Sequence, residues 1–136
     1  MIEVVEYLGI RYAEIIRADV KVDKTKFFSP PESSFQFGLL AHKAGYKEPP
    51  HFHQEFERTV KDLQQMFVVQ HGVVGVQLFD NNCKLLKEII LNAGDSIVLI
   101  HGSHAIRVIE DMQCISVKQG PFLGDSFDKI NIKVKE

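Results

Sequence analysis

From residue 66 onward, apolar positions fall into six short runs, residues 66–69, 73–79, 85–91, 96–100, 105–109 and 114–118, rich in Val and Ile. Turn-forming residues cut them at His71-Gly72, Asp80-Asn81-Asn82, Asn92-Ala93-Gly94-Asp95, His101-Gly102-Ser103, Glu110-Asp111 and Gln119-Gly120-Pro121. Runs of this length at such regular spacing predict antiparallel strands of a sandwich or barrel.

The first half is less regular. Val5, Leu8, Tyr12, Ile15 and Ile16 would fit one helix face, but Gly9 and the β-branched residues favour two short strands. Phe27-Phe28-Ser29-Pro30-Pro31 must be extended or turning, because each proline lacks a donor and restricts its predecessor. Phe35, Phe37 and Leu39 alternate with Gln36 and Gly38 as in a half-buried strand. Residues 54–65 form a polar connection carrying Glu55, Glu57, Arg58, Lys61 and Asp62. A connection that long inside a β domain is uncommon and often functional.

The 136 residues, 45% hydrophobic and 25% charged, suit one domain able to bury its own core without disulfides. Sixteen basic and eighteen acidic residues without a basic block favour neither nucleic acid nor an anionic membrane as partner. The acidic N-terminal stretch and the lack of a membrane-length apolar run lead us to expect a cytoplasmic protein with reduced thiols. Cys83 falls in a hairpin turn and Cys114 in an apolar run expected to be buried; neither has the surroundings of a nucleophile.

Histidine is the residue that stands out. Four of six histidines form two groups, His51 with His53 and His101 with His104. Residues two apart on a strand share a face, so His51 and His53 could approach one ion while Phe52 packs behind them. His104 opens a later strand, after Gly94-Asp95 and Gly102. His101 is expected at the rim or surface, His71 in an exposed turn and His42 at a strand end.

On these residues the chain resembles a small single-domain cupin, over roughly residues 35–120. Gly45 with His51 and His53 matches the opening of that family's first motif, whereas Gly94-Asp95, Gly102 and His104 match the second less well. Residues 117–121, V-K-Q-G-P, and the polar loop after the histidine pair are similar to a subgroup of short bacterial cupins. The resemblance implies a double-stranded β-helix (jelly-roll) barrel, with residues 1–30 as N-terminal strands or an arm that forms a homodimer. It also implies a divalent metal, Zn, Fe, Mn or Ni, held by His51, His53, His104 and a fourth ligand. The family's glutamate falls at Gln65 when counted back from Gly72 and at Glu57 when counted forward from His53. Gln65 is preferred because the strand after it matches; a neutral amide there would weaken binding of hard ions. Glu57 then becomes a catalytic base or alternative ligand, and Arg58 and Lys118 bind a sugar-like or acidic small molecule. Isomerase or epimerase, dioxygenase, and hydrolase or lyase chemistry all stay open, as does a non-catalytic ligand-binding or sensing module with a weak metal or none.

Overall fold

Two successive residues with positive φ, Leu8 and Gly9, reverse the chain between β1 (Glu3–Tyr7) and β2 (Ile10–Ile16) in the computed structural model, which describes residues 2–136. A two-residue loop with both φ positive matches the natural twist of a hairpin, so the two-strand reading of this segment holds. The remaining elements are β3 (Lys26–Phe27), β4 (Gly38–Leu39), β5 (Gln65–Phe79), β6 (Leu85–Leu91), β7 (Ser96–Leu99), β8 (Ser103–Lys118) and the single helical turn α1 (Asp125–Asp128). The protein is all-β. The described residues divide into two units, residues 2–20 with 64–136, and residues 21–63.

The larger unit is one antiparallel sheet in the order β1-β2-β7-β5-β6, with β8 on the other side of β5. The first half of β5 pairs with β7 and its second half with β6, while β8 follows it from end to end. Here the structure redraws two boundaries. His71-Gly72 and Glu110-Asp111, read above as turns, face each other as irregularities within one bent two-stranded ribbon. Gly72 has φ +84, and a Cβ there would strike the carbonyl of Asp111. Glycine serves a bulge for the same reason it serves a turn, so residue type alone does not separate them.

The bend also changes which side chains face inward. Phe67 and Val69 are buried before it, and Val74, Val76 and Leu78 after it, all in one cluster. An odd-to-even switch on one strand is what an extra bulge residue produces, because side chains alternate with period two. Val5, Tyr12, Ala13, Ile15, Ile89, Leu91, Ile97 and Leu99 complete this core from the neighbouring strands.

The sheet is curled into a half-barrel. Arg17, just past β2, donates from Nη1 to the carbonyl of Ile90 on β6 at 2.6 Å, although β7 and β5 lie between those strands in the sheet. The edges formed by β1 and β6 border a cleft of about 510 Å³ lined by Glu3, Val4, Val5, Arg17 and residues 87–90. Asp95, between β6 and β7, ties the same region together. Its carboxylate accepts from the Ala18 N–H at 2.8 Å, the Asn92 N–H at 2.9 Å and Arg17 Nη1 at 3.0 Å. Nothing in the alternation of the sequence marks that three-way anchor.

In the smaller unit, β3 and β4 make a two-stranded antiparallel pair, Lys26 opposite Leu39 and Phe27 opposite Gly38. The pairing continues through Phe28 N–H to the Phe37 carbonyl, 2.8 Å, and Phe37 N–H to Ser29 Oγ, 2.7 Å. Phe37 is buried, as its alternation predicts, but the regular strand around it spans only Gly38–Leu39.

Candidate functional site

His51 and His53 lie in an irregular stretch without strand pairing, directly after Pro49-Pro50. The strand predicted for the pair does not form, and Phe52, expected to pack behind it, is 91% exposed. Two prolines in a row remove two ladder donors, which suits an irregular approach better than a sheet strand. The rings are nonetheless close, with centroids 5.3 Å apart at 74°.

The backbone fixes the chemistry of one of them. Nδ1 of His51 stands 3.0 Å from the carbonyl oxygen of Pro49 and 3.3 Å from Oε1 of Glu48. A carbonyl only accepts, so Nδ1 donates, and in the neutral ring the lone pair resides on Nε2. An imidazole whose outer N–H is held by a carbonyl or carboxylate is the arrangement that orients a metal-binding nitrogen. Glu48 was not singled out by sequence reasoning; the signal available was a carboxylate three residues before the first histidine.

In the same unit, Glu57 and Arg58 are exposed and, with Glu55 and Phe56, border an open recess of about 560 Å³. The Arg58 guanidinium lies 3.7 Å from the centre of the Phe56 ring. Stacking holds the plane of the guanidinium while leaving its N–H edge free for a carboxylate or phosphate. His42 is stacked on Tyr46, centroids 4.0 Å apart, outside any arrangement with His51.

In the larger unit, Gln65, Lys118 and His104 all belong to the β5–β8 ribbon. Gln65 pairs with Lys118 at one end and Leu78 with His104 at the other. Directly opposed residues share a face, and that face continues the buried side of β5. Gln65 and His104 are thus on one side of the sheet but at opposite ends of the ladder. The Gln65 amide nitrogen donates to Ser116 Oγ at 2.9 Å, so its carbonyl oxygen is the atom left for a ligand. Lys118 is already engaged, its ammonium 3.7 Å from Asp128 Oδ2 and 4.7 Å from the Phe122 ring centre.

His104 is exposed as a residue, yet neighbouring atoms crowd its ring. Desolvation, and secondarily the positive charge of Lys129, push its pKa below the usual imidazole value. A neutral imidazole is the form able to ligate. His101 points elsewhere: Nε2 meets Asn81 Oδ1 at 2.8 Å and the ring stands edge-on to Tyr12, in keeping with a rim position. Cys114, predicted buried, is only partly so; its thiol lies 3.5 Å from Met112 Sδ, and desolvation pushes its pKa up, away from nucleophilic use. Among the described residues, neither unit gathers three His, Cys, Asp or Glu side chains closely enough to enclose an ion. No described helix is long and apolar enough to cross a membrane. Searches against protein-family models, curated proteins and solved structures each return no match for this chain.

Proposed function

We propose that the chain is a small cupin-type protein that binds a divalent transition metal and a small sugar-like or acidic molecule. The observation that carries this reading is His51: its Nδ1 is committed to Pro49 and Glu48, and His53 lies beside it. Two imidazoles with one nitrogen already oriented suit Zn, Fe, Mn or Ni, the borderline ions that take nitrogen donors. The cupin resemblance assigns His104 and Gln65 as further ligands, but they stand at opposite ends of the β5–β8 ladder, so a single ion takes only one of the two, with Glu57 as the alternative carboxylate. A bound ion of this kind would polarise a carbonyl or hydroxyl of the ligand, or activate water or O2. Arg58, with its plane set by Phe56, contributes the contact to an anionic group of the ligand, and Glu57 next to it supplies a carboxylate for proton transfer. Isomerisation or epimerisation and oxygenation are the reaction classes this donor set serves.

The second reading is a barrel that holds or senses its ligand without turnover. It is favoured by Gln65, a neutral amide already hydrogen-bonded to Ser116 where the family motif carries an acid.

Elemental analysis of the purified protein, followed by thermal melts with added Fe, Mn, Ni or Zn, tests the metal reading. The expected result is bound metal, a raised Tm on addition, and loss of both in His51→Ala. Protein that neither retains a metal nor gains Tm on addition refutes it, and undiminished binding in His51→Ala refutes the ligand assignment. A metal that binds with no turnover on any small sugar or keto acid selects the second reading.

A further inference from the structure

Strand β8 ends the sheet with its backbone edge and its side-chain face both unfinished. Val74, Val76 and Leu78 of β5 are buried, and their direct partners across the ladder are Val108, Ile106 and His104. Opposed residues share a face, so Ile106 and Val108 belong to the core side, yet they are 39% and 53% exposed. The core therefore stops one strand too early. Among the described residues no strand pairs with the outer edge of β8. The irregularity near Glu110 and Asp111 interrupts that edge but leaves residues 103–108 in regular pairing with β5 and open on the other side. Exposed edges of this kind recruit strands from other chains unless they are short, charged or covered.

The same unit holds a strand pattern with no sheet. Residues 130–135 read I-N-I-K-V-K, with apolar residues at every second position, and Ile130, Ile132 and Val134 are 90%, 37% and 50% exposed. Among the described residues their backbone tie is the bridge of Lys135 to Lys84, with Lys135 N–H donating to the Cys83 carbonyl at 2.9 Å. Charge matches as well. Lys133 and Lys135 have no ion-pair partner among the described residues, and neither do Glu110 and Asp111 beside the open stretch of β8.

We propose that residues 130–135 of one copy add as a strand to the free edge of β8 in a second copy, reciprocally, forming a two-fold dimer. The alternating apolar side chains of the donor then cover Ile106 and Val108, and its lysines meet Glu110 and Asp111. Strand addition supplies main-chain hydrogen bonds for affinity and alternate side chains for specificity. A reciprocal exchange makes the contact twice, which closes the assembly at two chains. The inference is independent of metal binding and places the dimer contact away from the N-terminal strands expected from the sequence.

Light scattering and sedimentation velocity on the full chain at tens of micromolar read the outcome directly. The wild type is expected at twice the chain mass, and the double variant Ile130→Glu/Ile132→Glu, altered at exposed positions, at the monomer mass. Asp111→Lys is expected to raise the dimer Kd by roughly tenfold or more through like charges, and Lys133→Glu/Lys135→Glu in the same chain to restore it. Hydrogen exchange in residues 103–108 is expected to slow as protein concentration rises. A monomeric wild type overturns the proposal. So does a dimer that survives the double variant, or one that Val4→Glu on β1 dissolves.

Discussion

Replacing Asp95 with alanine removes an acceptor that joins the end of β2 to the turn between β6 and β7 through three hydrogen bonds. The carboxylate is 5% exposed and accepts the N–H groups of Ala18 and Asn92 along with the Arg17 guanidinium, all within 3.0 Å. Hydrogen bonds to a charged acceptor contribute about 1.5–3 kcal/mol each, and removing one partner of a buried pair costs about 3–5 kcal/mol. These figures overlap and do not add, and Arg17 keeps Glu3 and the Ile90 carbonyl as partners, with its side chain 30% exposed. The orphaned N–H groups of Ala18 and Asn92 dominate, so the net cost is about 3–4 kcal/mol. Against a total stability of about 5–15 kcal/mol this lowers Tm by roughly 10–15 °C. Urea denaturation followed by circular dichroism should show a lower midpoint at unchanged m-value. Asp95→Asn, which keeps one oxygen for an N–H, should lose about half as much. If Asp95→Ala shifts stability by less than about 1 kcal/mol, the anchor does not hold the half-barrel together as argued.

Two further expectations rest on single residues. In metal-stripped protein, His104 has a folded pKa below its unfolded value, so the unfolded chain binds the proton more readily. Stability is therefore unaffected well above the unfolded value and declines as the pH falls through it, until the folded group is protonated too. A Tm-versus-pH series should show that acid-side decline reduced in His104→Gln, and identical profiles would show the ring to be fully solvated. Gly72→Ala should cost about 1–3 kcal/mol, from positive φ and the collision with the Asp111 carbonyl, and a neutral result by chemical denaturation would remove the bulge from the account.

The legible part of the fold was the part set by alternation. Val74, Val76 and Leu78 with Ile97 and Leu99 are period-two residues, and they form the core that such a pattern requires. The hairpin at Leu8-Gly9 was legible because glycine breaks the helical alternative. The bent β5–β8 ribbon was not: Gly72 and the acidic pair at Glu110-Asp111 carry the same residue chemistry whether the chain reverses or bulges, and only pairing partners far along the chain decide between them. The Asp95 anchor was invisible for a related reason, since Ala18 and Arg17 lie far from it in sequence and two of its three bonds come from backbone groups that no side-chain pattern reports.

The histidine pair is close in space for a different reason from the one its spacing suggests. Strand geometry would have put His51 and His53 on one face by alternation, with Phe52 buried behind; instead Pro49-Pro50 keeps the segment out of a sheet and Phe52 lies in solvent. What brings the rings to 5.3 Å is local and does not depend on a sheet: a short chain path, the Pro49 carbonyl and the Glu48 carboxylate holding Nδ1 of His51. A pair set by its own backbone keeps one imidazole oriented without strand pairing, at the expense of the rigid support that strands provide. Metal binding by His51 and His53 would then be a source of order for this stretch, because an ion joining two imidazoles restricts a segment that no ladder hydrogen bonds restrain.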